Sequence, residues 1–134
     1  MINDTSKTGK IDISQLTTPP EKHELATAKY FSEMGKDVVF LEASGQPGVN
    51  TPDILMDGVE WEIKGPTGGS RSTIETNFRK AVKQSRYIIF DLRWIKLPEK
   101  QSISQLEREF FARPYLKRLY VVCKNGKLLK YPHH

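Results

Sequence analysis

The chain has 134 residues, of which 21 are Lys or Arg and 16 are Asp or Glu, and its formal net charge is +5 at pH 7. This length suits one hydrophobic core and is short for two domains. No stretch approaches the ~20 apolar residues that span a bilayer, and the polar N-terminus lacks the apolar segment of a secretory signal. The positive charge favours a polyanionic partner, because nonspecific affinity for nucleic acid comes mainly from neutralised phosphates.

The predicted elements alternate between helices and strands. Residues 1–18 are polar and predict a flexible arm, and residues 19–134 predict a single domain. The elements up to residue 92 follow the order αβββαβ: a helix over 21–34, a strand over 37–42, a hairpin of 53–56 and 59–64, a helix over 73–86 and a strand over 87–92. A helix over 103–112 and a hairpin of 118–124 and 127–131 follow.

The Asp57-Gly58 dipeptide predicts which residues of the first hairpin face each other. If these residues form a two-residue turn, Met56 faces Val59. Counting outward then places Asp53 directly opposite Glu62 on one face of the hairpin. Two carboxylates in this arrangement repel each other unless a positive charge lies between them. A divalent cation is the simplest such charge.

Lys64 lies on the same side of its strand as Glu62, because side chains alternate along a strand. A cation held by carboxylates can polarise a phosphate and lower the pKa of a water molecule. A lysine beside it can orient that water or stabilise the developing negative charge. The combination indicates a phosphodiester hydrolase. The alternative is a solvated strand face, on which Glu60, Glu62 and Lys64 are polar only because they meet water.

Glu24 lies in the middle of the apolar face of the first helix, between the positions of Leu25, Ala28 and Phe31 at about 100° per residue. Burying a carboxylate without a partner is costly, so a partner is expected. A metal site is one such partner. The alternatives are a buried ion pair with an arginine and an interaction with the dipole at the helix start.

The second predicted helix carries groups that suit a nucleic-acid substrate. Gln84 lies at the margin of its apolar face, and Arg79, Lys83 and Arg86 lie on an outward arc where they can contact phosphates. Arg71 belongs to the flexible loop before this helix, which could close over a substrate. A basic helix surface that is merely solvated remains the alternative.

These residues resemble the PD-(D/E)xK phosphodiesterase superfamily, whose signature here consists of Pro52-Asp53 and Glu62-Ile63-Lys64. The resemblance covers residues 20–92. It implies an α/β restriction-endonuclease-like core with a mixed central sheet flanked by helices, to which this chain adds a C-terminal helix and hairpin. It also implies that Glu24, Asp53 and Glu62 bind Mg²⁺ or Mn²⁺, that Lys64 is the catalytic lysine, and that Gln84 is the second-helix glutamine of some members.

A closer resemblance extends over about residues 20–132. The strings TPDILMDGVEWEIKGP and AVKQSRYIIFDL look like the C-terminal nuclease domains of contact-dependent growth-inhibition proteins of the CdiA type and like related nuclease domains of phages and mobile elements. This resemblance implies a toxin that cleaves tRNA or DNA in the cytoplasm, arrives as part of a larger secreted parent, and is neutralised by a cognate immunity protein. The motif does not distinguish DNA from RNA.

Two other functions remain open on the same fold. One is a non-catalytic module that binds nucleic acid, and the other is a protein-interaction module whose basic surface meets an acidic partner. An intact set of carboxylates and lysine favours the enzyme, since a binding module need not keep repelling charges together. Retained affinity for a metal ion would separate the enzyme from both alternatives.

Overall fold

The structure, a computed structural model, describes residues 7–133. Its helices are α1 (Lys22–Glu33), α2 (Thr73–Ala81) and α3 (Glu99–Phe111). Its strands are β1 (Ile11–Asp12), β2 (Val38–Phe40), β3 (Ile54–Met56), β4 (Val59–Lys64), β5 (Tyr87–Asp91), β6 (Arg118–Val122) and β7 (Leu128–Tyr131). No helix within these residues is both long and apolar enough to span a bilayer.

The strands are hydrogen-bonded in the order β1-β2-β3-β4-β5-β6-β7, with parallel and antiparallel pairs. This confirms the predicted α/β class with a mixed sheet and helices. The predicted order αβββαβ runs from α1 to β5, and α3 with the β6–β7 hairpin follows it. The C-terminal helix and hairpin were therefore also predicted correctly.

Contacts group the chain into two compact units, and the division falls inside β4, between Trp61 and Glu62. The residues of β4 up to Trp61 pair with β3, and those from Glu62 onward pair with β5. The single domain expected over residues 19–134 stays a prediction.

The first unit contains α1 and the strands from β1 to the start of β4. β1 and β2 are parallel, whereas β2, β3 and β4 run antiparallel to one another. α1 packs on β1 and β2 and buries Ala28 and Phe31. Strand alternation adds further buried side chains, namely Val38, Phe40, Ile54, Met56 and Trp61. Each large apolar side chain buried in this way stabilises the fold by roughly 1.5–3 kcal/mol.

The residues before α1 are attached to this unit, which differs from the flexible arm expected over residues 1–18. Residues 1–6 of that arm lie outside the described residues. In the remainder, β1 pairs with β2, and the N–H of Gly9 donates to the Ser32 carbonyl at 2.6 Å. A Cβ on Gly9 would overlap the Lys36 carbonyl, so this close approach requires glycine. Polar composition does not reveal the attachment, because main-chain hydrogen bonds make it.

The second unit contains the rest of β4, α2, β5, α3, β6 and β7. β4, β5 and β6 are parallel, and β7 returns antiparallel to β6. α2 packs against α3, and the rings of Phe78 and Phe90 stack with centroids 5.9 Å apart. Ile88 and Ile89 are both fully buried, because β5 is covered on both faces as its apolar sequence predicted.

Helix α2 ends at Ala81, well before its predicted end at Arg86. The N–H of Gln84 donates to the Ala81 carbonyl at 2.9 Å, a bond to the third residue back that tightens the last turn. The Ser85 hydroxyl oxygen then accepts the N–H that opens β5, at 3.0 Å. Lys83, Gln84 and Arg86 therefore lie in the connection to β5 and not on the predicted helical arc.

Candidate functional site

The hairpin changes register at Asp53. Its pairing agrees with the predicted Asp57-Gly58 turn outward to the pair Ile54↔Trp61. The N–H of Asp53 then donates to the carbonyl of this same Trp61, at 2.9 Å. Two residues of one strand thus face one residue of the other, which is the pattern of a β-bulge. The register pairs stop at Ile54, and the direct pairing of Asp53 with Glu62 expected from the sequence is not among them.

The backbone of Asp53 is fixed on both sides. Its N–H is bonded to Trp61, and its carbonyl accepts the N–H of Leu41 at 3.0 Å. The preceding Pro52 is buried and restricts the approach of the chain. Bulges commonly re-aim a side chain next to a functional site. Here the bulge fixes the main chain that carries the Asp53 carboxylate.

Glu24 lies in the first turn of α1, is half-buried, and has Asp53 as its neighbour. Burial, together with the negative charges of Asp53 and Glu21, raises the pKa of Glu24 to about 7, and a side-chain hydrogen bond with Asp53 contributes. Burial outweighs the helix dipole, which favours the charged form. The partner expected for Glu24 is thus a second carboxylate and not an arginine.

This carboxylate pair suits a hard divalent cation. With no cation present, the two groups can stay close if Glu24 keeps a proton and donates it to Asp53. A cation in place of that proton would allow both groups to ionise. Carboxylate oxygens are the donors that Mg²⁺ and Mn²⁺ prefer. The donors present in the first unit therefore fit the expected ion.

Glu21 and His23 extend this cluster, and the sequence did not reveal them. Ligand atoms of Glu21, His23 and Glu24 all lie within 4.8 Å of one another, and His23 Nδ1 is 3.5 Å from Glu21 Oε1. The available signal was the EKHE string at the start of the helix, which brings these side chains onto the same turn.

In the second unit, Glu62 is only 6% exposed, and its Oε2 lies 3.4 Å from Nζ of Lys64. Strand alternation places both side chains on one side of β4, as expected. On β5, the residues paired with Glu62 and Lys64 are the apolar Ile88 and Phe90. A solvated strand face does not describe Glu62, because it is buried beside a cation.

The other predicted residues are distributed over the second unit. Gln84 is half-buried in the turn after α2, and Arg71 is exposed in the loop before it. Arg79 is exposed and forms an ion pair with Glu75 at 2.9 Å, so its charge is partly balanced. The remaining two predicted phosphate contacts are also exposed, namely Lys83 and Arg86.

The loop before α2 lines a cleft of about 440 Å³. Its walls carry mainly hydroxyl and amide groups, which belong to Thr67, Ser70, Ser72, Thr73, Thr76 and Asn77. The hydroxyls of Ser70 and Thr73 are 3.0 Å apart, and the Thr73 hydroxyl accepts the N–H of Ser70. Such groups can donate hydrogen bonds to phosphate oxygens, and this fits the substrate role expected for the loop.

Comparison with known proteins adds two findings. The model of the family described as contact-dependent growth inhibition CdiA C-terminal domain matches residues 50–128, which is more than half of the chain. This segment contains Asp53, Glu62 and Lys64, whereas Glu24 precedes it. One chain of the CdiA-CT/CdiI toxin and immunity complex from Burkholderia pseudomallei is similar in fold, with a TM-score of 0.65 and 20% identity over 91% of this chain and 98% of that chain. No curated protein sequence matches significantly.

Proposed function

This chain belongs to the contact-dependent growth inhibition CdiA C-terminal domain family, and from that premise we propose that it is a toxin domain that hydrolyses phosphodiester bonds in nucleic acid. The observation that carries the hydrolytic proposal is the Glu24–Asp53 carboxylate pair. Burial, together with the negative charge of Asp53 close by, raises the pKa of Glu24 to about 7, which costs stability when no cation is bound. Such a cost is expected at a site kept for function.

The chain's own groups have distinct roles in this proposal. Bound Mg²⁺ or Mn²⁺ would polarise the scissile phosphate and lower the pKa of a water molecule. Glu24 and Asp53 would hold the ion, and the PD-(D/E)xK resemblance adds Glu62 to the ligands. Lys64 would orient the attacking water or stabilise charge on the phosphate oxygens. The resemblance further assigns Gln84 to the catalytic residues.

The family also supports a partner and a route of delivery. The similar Burkholderia structure is described as a toxin and immunity complex. We propose that this chain likewise has a cognate immunity protein, and that a larger secreted parent delivers it. Its nucleic-acid substrate, tRNA or DNA, would be cleaved in the cytoplasm of the target cell.

Incubation of the purified protein with tRNA, single-stranded DNA and duplex DNA tests this function. We expect at least one substrate to be cut in Mg²⁺ or Mn²⁺, and none in EDTA, because the reaction needs the ion. Cleavage at the same rate in EDTA would contradict metal dependence. Binding without cleavage of any of the three substrates would favour the non-catalytic module.

Glu24 also predicts how the stability of the metal-free protein depends on pH. Its pKa is about 7 in the folded protein, against an ordinary value of 4.5 for a glutamate in water. Between these values the folded protein keeps a proton that the unfolded chain releases, so the stabilisation is complete below pH 4.5 and is lost as the pH rises to about 7. We expect a loss of about 1 kcal/mol, discounted for the exposed part of the side chain.

Thermal unfolding in EDTA, followed from below pH 4.5 up to pH 8, measures this change in stability. Glu24→Gln should flatten the dependence and leave a protein more stable than the wild type at pH 8, because no charge develops at this position. The matched control is Glu33→Gln on the exposed side of the same helix, which should follow the wild-type curve. If the stability of Glu24→Gln changed with pH in the same way as that of the wild type, the raised pKa of Glu24 would be contradicted.

A further inference from the structure

Two aromatic side chains, one at the end of α3 and one in the connection that follows it, are exposed to solvent. Phe111 is 58% exposed and Tyr115 is 46% exposed. They are the exposed large hydrophobic side chains of the described part of the second unit. Neighbouring apolar groups left open to water commonly mark a binding surface.

Phe111 borders a groove of about 320 Å³, whose lining also includes Pro114, Leu116 and Lys117. Phe111 is supported from the side. Its ring meets the Phe110 ring nearly edge-on at 5.2 Å and the Tyr131 ring at 6.2 Å. Because packing already restricts this ring, a ligand that stacks on its exposed face would cost little side-chain entropy.

Positive charges lie along this part of the unit. The Arg86 carbonyl accepts hydrogen bonds from the N–H groups of Lys117, at 2.9 Å, and Arg118, at 3.3 Å. The connection after α2 is thus joined to a second basic segment. No ion pair is recorded for Arg86 or Lys117 within residues 7–133, whereas Arg113 in the groove wall is paired with Glu109 at 2.8 Å. Lys117, which lines the groove, is exposed and can meet an anion there, and the exposed Arg86 adds positive charge to the segment bonded to it.

We propose that this groove binds an unpaired nucleotide, with its base stacked on Phe111 and its phosphate near Lys117 and the basic segment around Arg86. This inference rests on the proposed function, which makes nucleic acid the substrate. Aromatic faces combined with cations are the pattern of single-strand binding, because an unpaired base exposes its own face. The volume of the groove falls within the range of roughly 300–1,000 Å³ that is typical of sites for one small ligand. The observations therefore favour a nucleotide over a protein.

Fluorescence anisotropy with a labelled oligouridylate, in EDTA to prevent cleavage, tests this proposal. Phe111→Leu keeps an apolar side chain but removes the stacking face, so we expect affinity to fall about 5-fold or more. Phe111→Trp should bind as well as the wild type or better. Lys117→Gln should weaken binding and reduce its dependence on salt. Met34→Leu is the matched control, since Met34 is 51% exposed in the first unit, and it should bind normally.

The outcomes separate this inference from the proposed function. Unchanged affinity of Phe111→Leu would overturn the proposed nucleotide binding and would favour a protein partner in the groove. An equal loss of affinity for a duplex of the same length would overturn recognition of an unpaired base. If the wild type cut no nucleic acid in Mg²⁺ but the variants bound as expected, the proposed hydrolysis would fail and the groove would stand. If the wild type cut substrate but Phe111→Leu bound normally, only the groove would fail.

Discussion

Asp53→Asn is expected to slow metal-dependent cleavage by about 100- to 1,000-fold while leaving the protein folded. The amide is almost isosteric with the carboxylate but carries no charge, so the cation loses a ligand. Burial and the charge of Asp53 both raise the pKa of Glu24, so loss of that charge should bring the pKa down, while the part of the shift due to burial remains. Apo stability at pH 8 should therefore hold or rise. Initial cleavage rates and thermal unfolding in EDTA measure both effects.

Asp57→Asn is the matched control, because it makes the same change in the same hairpin. Asp57 has a φ of 54°, a conformation that Asn also tolerates. Its ion pair with Lys36, at 3.0 Å, is partly exposed and contributes little stability. The control should keep the wild-type cleavage rate. Wild-type cleavage by Asp53→Asn, or unfolding of that variant, would remove Asp53 from the proposed site.

The second large effect is expected for Lys64→Met, which should reduce turnover by about 100-fold or more, because a positioned cation that stabilises the transition state is lost. Unlike Asp53→Asn, this change should also destabilise the fold. It leaves the buried Glu62 without the ammonium group 3.4 Å away. We expect a cost of about 1–3 kcal/mol, below that of a fully buried pair because Lys64 is partly exposed. Denaturant unfolding measures it.

A double variant separates the two roles of this pair. Adding Glu62→Gln to Lys64→Met removes the uncompensated charge, so stability should largely return while activity stays lost. A double-mutant cycle on the exposed Glu75–Arg79 pair serves as a control, and its coupling free energy of unfolding should be within about 0.5 kcal/mol. Purely additive stability changes at Glu62 and Lys64 would mean that the two charges do not depend on each other. Full activity of Lys64→Met would remove it from the catalytic residues.

The hairpin shows how far local sequence determines structure. The bounds of β4, Val59–Lys64, were predicted correctly, because Asp-Gly with positive φ at both residues admits one tight turn and one register. The bulge at Asp53 was not predicted. A bulge changes the main-chain pairing of a strand but leaves the pattern of polar and apolar residues in the sequence almost unchanged.

The burial of polar side chains could not be predicted from the sequence either. Alternation placed Glu62 on the side of Lys64, but it could not show whether water or protein covered that side. The position of Glu24 on an apolar face did predict a partner, since an unpaired buried carboxylate is costly. The identity of that partner, Asp53, depends on which segments the fold brings together.

The basic surface shows the same limit. Arg86 was assigned to phosphate binding from a helical arc, but α2 ends before it. Its position beside Lys117 comes from hydrogen bonds between segments far apart in the chain. Local periodicity describes neighbours three or four residues apart, so it cannot reveal such a junction. The aromatic groove next to Lys117 was missed for the same reason.

Calorimetric titration of Mn²⁺ into the metal-free protein, at about pH 6 and about pH 8, tests most directly whether Glu24 and Asp53 hold a catalytic cation. Because the pKa of Glu24 is about 7, binding should release close to one proton at the lower pH and much less at the higher. Asp53→Asn should weaken binding at least about 10-fold, since it removes a ligand. Absence of Mn²⁺ binding, or equal binding by Asp53→Asn, would contradict the metal-dependent site.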